Sequence, residues 1–509
     1  MNTKTHKATV RILDEVNCVI LGLQPSHYKA LSDKFALRPP NHRFNPKFKL
    51  GVWDGYIRYF SQTGQTHVYL LPEIIPLLKS LDYTIEVDDL RSGTFIEPPL
   101  VTKDHFAHII DTFGQPVELR PYQVELVNAL ISNGGGIGIA GTGAGKTLST
   151  AVLADAYVKQ GLRVLVTVPD TGLVIQTRDE YRGWGLDVGE YSGDAKDIDH
   201  EIVISTWQAL QNNPTIIKQF SMVIVDEAQG LRGQVLQKLL NDYGKHIVHR
   251  FGVTGTLPKA ETDAMAVRIA VGDIQYTIPA HELIEQGWLA TLHIDVYQLE
   301  EDMRKQYAVF LQECEECEEP PVSYAVFKRS YFPDYAAEKK YLQTEKNQIE
   351  WIAQFIEAKR DAKKGNVFCL VDGIQFGKRL AGLIEGAVFV HGKDKSKARK
   401  EVYDLFENND NLVVIATVNV ASTGLNIQRI FNLVFINVGK SFVRVIQTIG
   451  RGLRKAPDKD HVDVSDICCD LKYSKKHLAE RIKYYNEAKY PYKVHKIPHN
   501  DWAGSSIIR

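Results

Sequence analysis

The sequence has few cysteines and almost no net charge. Its six cysteines among 509 residues have no regular spacing, which argues against a disulfide-built scaffold. The formal net charge is −1, so any nucleic-acid-binding surface must come from local clusters of cations. A hydrophobic content of 44% can build several buried cores, and the length predicts about three or four domains.

Long apolar runs are also missing. No stretch of about 18 apolar residues occurs, so we expect no membrane-spanning helix. Residues 1–17 lack the apolar core of a secretory signal, which favours a cytosolic protein. Cys314 and Cys317 have a metal-like spacing, but they lie in the acidic run 313–319 without a second pair. We expect a solvated loop there and no zinc site.

Short apolar runs alternate with helix-length segments in two parts of the chain. The first part has candidate strands at 137–140, 164–168, 202–205, 223–225 and 251–253. The second part has them at 367–371, 388–390, 412–416, 433–437 and 464–468. This alternation is typical of parallel sheets with crossover helices. We predict an α/β protein with two parallel-sheet domains and a small α+β N-terminal domain.

The same pattern divides the chain into five segments. They are an N-terminal module at 1–115, a first α/β domain at 116–288, a connector or insertion at 289–345, a second α/β domain at 346–470, and a basic helix and tail at 471–509. The connector begins with a candidate strand at 292–299. In the tail, Leu478, Ile482 and Tyr485 share a helical stripe, which fits either a docked helix with a basic outer face or a solvated helix.

The strongest local pattern is the run 139–147, Ile-Ala-Gly-Thr-Gly-Ala-Gly-Lys-Thr, between a candidate strand and a helical stretch. That context fits a P-loop, in which glycines let backbone N–H groups surround phosphate oxygens. We predict that Lys146 reaches the β- and γ-phosphates and that Thr147 holds Mg²⁺. The other predicted nucleotide contacts in this loop are Thr142, Gly143 and Gly145.

A second apolar run, 222–225, ends in Asp-Glu-Ala-Gln at 226–229. Adjacent carboxylates at the end of a strand are well explained by a bound cation. We predict that Asp226 holds Mg²⁺ and that Glu227 positions and polarises the attacking water. Combined with Lys146, these residues predict hydrolysis of ATP, with ATP and Mg²⁺ as the bound cofactors.

Further patterns distinguish this chain from kinases and transporter ATPases. Residues 119–123 resemble the Q motif of helicases, which implies that Gln123 bonds the adenine edge with Arg120 beside the nucleotide. Residues 168–176 resemble motif Ia, 204–208 motif Ib, and 253–256 motif III, which couples hydrolysis to movement. The first two imply contacts with the nucleic-acid backbone. The residues assigned to those contacts are Pro169, Gln176 and Thr206.

The second α/β part adds independent support. Residues 416–426 resemble motif V, and 447–454 resemble motif VI. Arg451 and Arg454 are three residues apart and share a helical face, where guanidinium groups can stabilise transition-state charge. The motif set resembles superfamily-two helicases, which implies two RecA-like domains that close on ATP. The resemblance assigns further roles in catalysis to Gln229 and Gln447, in nucleotide binding to Gly424 and Asn426, and in nucleic-acid binding to Thr417.

Two residues depart from that family pattern. Gln229 replaces a histidine often found in motif II, and Asn426 replaces a common acid in motif V. These differences concern the coupling of hydrolysis to movement rather than the use of ATP.

Residues 42–60 interleave cations with six aromatic side chains. One interpretation is a DNA-binding surface, with cations on phosphates and aromatics stacked on bases. The other is an aromatic-cored hairpin with a solvated basic face. Residues 43–49 read Arg-Phe-Asn-Pro-Lys-Phe-Lys, and Gly51 and the triplet 53–55, Trp-Asp-Gly, follow them. This run, placed ahead of the helicase motifs, resembles the phage UvsW-type helicases, which reverse forks and move branched junctions. The residues predicted to contact DNA are Arg43, Lys47, Lys49, Trp53 and Arg58.

We therefore expect an ATP-dependent DNA helicase, acting as a monomer on branched or forked duplex DNA in recombination and repair. Fork regression, junction migration and R-loop unwinding are the expected activities, and single-stranded DNA is a second candidate partner. Three alternatives remain at this point. They are a duplex translocase that does not separate strands, an RNA helicase, and a binding module without catalysis.

Overall fold

The computed structural model describes residues 6–111, 114–193, 195–361, 365–391, 402, 405, 409–418, 429–439 and 459–502. The chain forms two compact units. The first comprises Met1–Gly141 and Gly145–Ile278, and the second comprises Pro279–Arg509 with Thr142–Ala144. No helix in these described ranges is long and apolar enough to cross a membrane.

The first unit begins with a small α+β module. Its elements are β1 (His6–Ile12), β2 (Asn17–Leu21), α1 (Pro25–Lys34), β3 (Ala36–Leu37), α2 (Pro46–Lys49), β4 (Ile57–Arg58), β5 (Gln65–His67), α3 (Leu71–Ser80) and β6 (Tyr83–Asp89). Alternating residues Ala8, Val10 and Ile12 are buried on one face of β1, as in a sheet that covers a core on one side. The main sheet has the order β5-β2-β1-β6, and β3 pairs with β4 separately.

The rest of the first unit is a larger α/β sheet. Its strands are β7 (Gly135–Ala140), β8 (Val164–Val168), β9 (Val188–Ser192), β10 (Ala195–Asp197), β11 (Ile202–Thr206), β12 (Met222–Asp226), β13 (His249–Thr254) and β14 (Ile274–Ile278). Its helices are α4 (Pro121–Asn133), α5 (Lys146–Val158), α6 (Thr171–Gly183), α7 (Trp207–Asn212), α8 (Gln234–Lys238) and α9 (Glu261–Val271). The order is β10-β9-β11-β8-β12-β13-β7-β14, and among the described pairings of this sheet only that of β9 with β10 is antiparallel.

Three neighbouring strands of this sheet end at one edge. β12, β13 and β7 are adjacent and parallel, so their carboxyl ends lie side by side. β7 leads into the loop 141–145, β12 ends at Asp226, and β13 ends at Thr254. The predicted phosphate loop and the predicted acidic pair therefore meet at the same edge, with Thr254 between them.

The second unit contains a parallel sheet of its own. Its strands are β15 (Thr291–Leu299), β16 (Val367–Val371), β17 (Val388–Val390), β18 (Val413–Thr417), β19 (Asn432–Ile436), β20 (His461–Cys469) and β21 (Tyr492–Ile497), in the order β17-β18-β16-β19-β20-β15-β21. Its described helices are α10 (Ala280–Glu285), α11 (Arg304–Glu316), α12 (Tyr324–Ser330), α13 (Tyr335–Leu342), α14 (Lys346–Asp361), α15 (Ile374–Ala381), α16 (Lys472–Glu487) and α17 (His499–Trp502). All described pairings in this sheet are parallel, as the alternating pattern predicts.

Two segments compare differently with the sequence-based expectation. The stretch 289–345, expected to be a connector or insertion, begins with β15 where a strand was predicted, and β15 lies between β20 and β21 in the sheet. The acidic run 313–319 was expected to be a solvated loop, and that prediction is wrong for its first half. Helix α11 extends to Glu316 and buries Cys314, because the thiol lies on the packed side of the helix, while Cys317 is exposed.

The tail packs against the second sheet. Leu478 and Tyr485 are buried along one stripe of α16, which selects the docked helix over the solvated one. Arg481 lies on the same stripe and is also buried, so this cation does not belong to the basic outer face. After the helix, β21 adds a strand to the sheet beside β15.

Candidate active site

The phosphate loop has the backbone that its glycines allow. Gly143 and Gly145 have φ angles of 91° and 73°, in the left-handed region that favours glycine. Gly145 is the residue that precedes α5, so Lys146 and Thr147 occupy the first turn of a 13-residue helix. Backbone N–H groups and the positive end of the helix dipole both face an anion at such a position. The local geometry therefore fits the predicted phosphate site.

The acidic pair stands at the end of β12. Glu227 has a φ of 55°, and its backbone N donates to Asp226 Oδ1 at 2.9 Å. Burial, and after it the charge of Glu227, raise the pKa of the Asp226 carboxyl above its ordinary value, while Lys146 lowers it. A buried carboxylate beside a second acid is stabilised by a cation. The donor set therefore fits Mg²⁺, which prefers carboxylate and hydroxyl oxygens.

Gln229 connects the acidic pair to the neighbouring strand. Its Nε2 donates to Glu227 Oε2 at 2.7 Å, and its Oε1 accepts from the hydroxyl of Thr254 at the end of β13. The backbone N of Thr256 donates to the same Thr254 hydroxyl oxygen at 3.2 Å. The Gln229 amide therefore holds the Glu227 carboxylate, which is predicted to polarise water. The same amide is bonded to the end of β13, the strand that carries motif III.

Gln123 is buried at the start of α4. Its Oε1 accepts from the backbone N of Arg120 at 2.9 Å, and its Nε2 donates to the carbonyl of Gly145 at 3.2 Å. Arg120 Nη1 donates to the Tyr122 hydroxyl at 2.9 Å. The side chain predicted to read adenine therefore also supports the phosphate loop. Sequence reasoning missed this second contact because it depends on the folded path of the loop.

Glu180 is a residue near the site that the motifs did not single out. Its charge also raises the pKa of Asp226, after the larger effects of burial, Glu227 and Lys146. Gln176 Nε2 donates to Glu180 Oε1 at 2.7 Å, one helical turn away on α6. The spacing of four residues on a predicted helix is the signal that could have paired them.

A groove in the first unit collects the residues of motifs Ia and Ib. Asp170 Oδ1 accepts from the backbone N of Leu173 and caps α6, while Thr206 Oγ1 accepts from the backbone N of Ala209 and caps α7. The groove has a volume of about 360 Å³ and is lined by Asp170, Thr171, Lys196, Thr206 and Gln208, among others. Pro169 lies between β8 and α6, directly before Asp170 of this groove in the chain. The fold thus brings two predicted backbone-contacting motifs to one surface.

The N-terminal basic-aromatic run forms a small packed structure. Trp53 Nε1 donates to the carbonyl of Tyr56 at 2.7 Å, and Arg58 Nη2 lies 2.6 Å from Asp54 Oδ2. Trp53 and Arg58 thus have internal partners, as the hairpin interpretation expects. The other three predicted DNA contacts, Arg43, Lys47 and Lys49, are all exposed at the surface of the module.

Among the described residues of the second unit, one is a predicted site residue of its motifs. Thr417 is half-buried at the end of β18, beside the end of β16. The other predicted residues of motifs V and VI lie outside the described residues; they are Gly424, Asn426, Gln447, Arg451 and Arg454. Within the ranges that the structure describes, no cluster of three or more His, Cys, Asp or Glu side chains could hold a metal ion.

Three family models match the chain. Residues 10–88 match the N-terminal domain of DNA helicase UvsW, residues 116–259 match the type III restriction enzyme res subunit, and residues 347–456 match the helicase conserved C-terminal domain. These matches follow one another along the chain in the order that the sequence motifs predict.

Individual proteins show the same likeness. The chain is 24% identical to the ATP-dependent DNA helicase uvsW of Enterobacteria phage T4, over 93% of this chain and 96% of that protein. It is 24% identical to the DNA 3'-5' helicase XPB of Kineococcus radiotolerans, over 77% of this chain and 67% of that protein. The structure of the ATP-dependent Type ISP restriction-modification enzyme LlaBIII bound to DNA has a TM-score of 0.55 at 13% identity, and covers 84% of this chain and 36% of that one. The predicted fold class, with RecA-like parallel sheets, is confirmed.

Proposed function

We propose that this chain, an ATP-dependent DNA helicase of superfamily two that resembles UvsW, acts on branched DNA. The expected reactions are fork regression and migration of junctions, and the same motor acting on RNA–DNA hybrids would unwind R-loops. The observation that carries this proposal is the N-terminal module: residues 10–88 match the UvsW N-terminal domain, and the module is bonded to the first α/β domain. Tyr59 Oη donates to the carbonyl of Thr262 at 3.2 Å, and Arg268 pairs with Glu73.

The nucleotide chemistry follows from the edge where β7, β12 and β13 end. We expect Lys146 to bind the β- and γ-phosphates, and Thr147 and Asp226 to hold Mg²⁺. The bound ion would neutralise the charge that develops on the phosphates. Glu227 would orient the attacking water and accept its proton, with its carboxylate fixed by Gln229.

The second α/β domain supplies the rest of this proposal. Arg451 and Arg454 would contact the γ-phosphate when the two domains close on ATP, and Gln447 would lie beside them. Loss of the γ-phosphate after hydrolysis would release both arginines and let the domains separate. Cycles of closing and opening would move DNA, held at the groove lined by Thr206 and Asp170, past the motor.

The test compares DNA structures in one ATP turnover and remodelling experiment. Wild type and Glu227→Gln are assayed with a single strand, a linear duplex, a fork, a four-way junction, an RNA–DNA hybrid and a single-stranded RNA. We expect the fork and the junction to stimulate ATP turnover most and to be converted to re-paired products. Glu227→Gln should bind ATP and DNA but form no product. Equal responses to branched and linear DNA, with no remodelling, would contradict the proposal.

A second candidate function is translocation along duplex DNA without strand separation. It is favoured by the match of residues 116–259 to the type III restriction enzyme res subunit. Displacement of a third strand from a triplex reports movement along intact duplex. Efficient triplex displacement with no product from forks or junctions would select this candidate.

A further inference from the structure

The N-terminal module carries an exposed apolar tip. Of the large apolar side chains that the structure describes, the three most exposed are Leu50 at 77%, and Phe44 and Val52 at 76% each. All three lie within residues 43–52, which we call the basic tip. A cluster of such side chains in solvent is costly unless something covers it in the working protein.

The surroundings of the tip are strongly positive. Between Asp33 and Glu73 the sequence has six Lys or Arg residues and one acid, Asp54. That acid is already bonded to Arg58. Within the described residues no carboxylate lies within ion-pair distance of the three cations of the tip, which are Arg43, Lys47 and Lys49. The exposed apolar side chains therefore lie among three cations that no described carboxylate pairs with. Unpaired positive charge of this kind attracts a polyanion.

The inner side of the tip is packed and holds its shape. The Phe48 ring makes edge contacts with His42 and Trp53, with ring centroids 5.0 and 6.5 Å apart. Asn45 caps α2 by accepting from the backbone N of Lys47. A Cβ atom at Gly55 would stand 3.0 Å from the Phe48 ring, so glycine lets the chain close over that ring. The exposed side chains thus project from a fixed base.

The module that carries the tip is anchored to the first α/β domain. Tyr59, directly after β4, donates to the carbonyl of Thr262 in the first turn of α9. Lys245 lies 3.7 Å from Asp14, and the backbone N of Glu15 donates to the carbonyl of Lys245 at 3.0 Å. These bonds come from separate parts of the module, so movement of that domain would carry the tip with it.

We infer that the basic tip is an unstacking wedge for DNA: its cations bind phosphates on both sides of a branch point while Phe44, Leu50 and Val52 insert between base pairs. Apolar side chains inserted at a base step unstack it and kink the duplex. This inference rests on the proposed action on branched DNA. A branch point suits such a wedge because its terminal pairs lack a stacking neighbour on one side, so less stacking is lost there than inside a duplex.

The test places 2-aminopurine, whose fluorescence rises when it unstacks, at the branch point of a fork. Three variants are compared with wild type without ATP: an apolar-tip variant (F44S/L50S/V52S), a charge variant (R43Q/K47Q/K49Q) and a matched control, V87S/L90S, which removes exposed apolar side chains at 61% and 56% exposure from elsewhere in the module. Circular dichroism and melting temperature confirm that each variant folds.

Wild type and the matched control should raise the fluorescence of the bound fork, and the apolar-tip variant should lose most of that rise at saturating protein. The charge variant should bind more weakly, and its salt-dependence slope should fall by about 0.9 for each phosphate that the missing cations no longer neutralise. An unchanged fluorescence rise in the apolar-tip variant would overturn the wedge. A normal rise in wild type with no ATP-driven remodelling of forks would instead overturn the proposed function. If the apolar-tip variant also remodels forks at the wild-type rate, the exposed side chains serve another partner, and the inference is wrong.

Discussion

The side-chain oxygen of Gln229 accepts a hydrogen bond from the hydroxyl of Thr254, 25 residues further along the chain. The amide nitrogen of the same Gln229 side chain donates to Glu227. One amide therefore links the carboxylate expected to activate water with the end of β13. The histidine common in the family is replaced here by a residue that can donate on one side and accept on the other at any pH, since an amide does not titrate.

The first prediction separates the two bonds of this link. Gln229→Ala removes both and should lower kcat for ATP about 10- to 100-fold, because a shift of about 1 Å in a catalytic group can cost on the order of 10²-fold. Thr254→Val keeps the Glu227 contact and should lower turnover only about fivefold, the equivalent of one hydrogen bond. In Thr254→Val, the amount of DNA product formed per ATP hydrolysed should fall by a larger factor than the ATP turnover. ATPase and remodelling measured in the same reaction check this, and normal coupling in Thr254→Val would refute it.

The second prediction concerns the two bonds of Gln123. Gln123→Ala should raise the KM for ATP about tenfold, since losing about 1.4 kcal/mol of support for the phosphate loop corresponds to that factor. Gln123→Glu keeps an acceptor for the backbone N of Arg120 but turns a carboxylate toward the carbonyl of Gly145. It should weaken ATP binding at least as much as Gln123→Ala and should also lower the melting temperature, because it buries a carboxylate against a carbonyl oxygen.

The same variants show whether Gln123 also reads the base. If it bonds adenine, Gln123→Ala should reduce the preference for ATP over GTP as well as the affinity. Turnover with each nucleotide is measured under subsaturating conditions. A preference that does not change would mean that the residue only supports the loop.

How much the sequence predicts depends on whether a feature is local. The loop 141–145 and the pair Asp226 and Glu227 combine strand, turn and chemistry within a few residues, so their positions in the fold follow from the sequence. The strand β15 was recognised as a strand, but its place between β20 and β21 depends on partners more than 150 residues away. Parallel strands are joined by long crossovers rather than by a short hairpin turn, so no local turn sequence indicates which strands pair.

Buried charges were the other feature that the sequence concealed. Arg481 is one of many cations in a basic tail, and nothing in its neighbours distinguishes it from a solvated side chain. In the fold it makes two 2.8 Å contacts with Asp466, and its Nη1 donates to the carbonyl of Val438 at 2.6 Å. Tyr485 completes the cluster by donating to Asp466 at 2.9 Å.

The third prediction follows from that cluster. Arg481→Met should destabilise the protein by about 3–5 kcal/mol, because it leaves Asp466 buried without its cation. Lys483 is the matched control, since it is exposed and pairs only with Glu480 among the described residues. Lys483→Met should change stability by about 0.5 kcal/mol or less. Urea unfolding followed by circular dichroism compares the two, and equal midpoints would show that the buried pair contributes no stability.

The fourth prediction is a pH dependence that originates at Glu301. This carboxyl is 4% exposed, accepts from the Tyr341 hydroxyl at 2.6 Å, and lies 3.8 Å from the Cys469 thiol. Burial raises its pKa from 4.5 to about 7; Tyr341 lowers it, and the nearby charges of Glu345, Lys328 and Asp470 oppose one another. The folded protein therefore binds this proton more tightly than the unfolded chain does.

The sign of the effect follows from linkage. As pH rises from 4.5 to 7, the free energy of unfolding should fall, because the unfolded chain loses the proton first, and the loss should be complete above 7. The expected size is on the order of 3 kcal/mol at most. Glu301→Gln stays neutral, so it should melt at a higher temperature than wild type at pH 8, and the difference should shrink toward pH 5. Melting curves of both proteins across that range check this, and a difference that does not vary with pH would place the ionisation elsewhere.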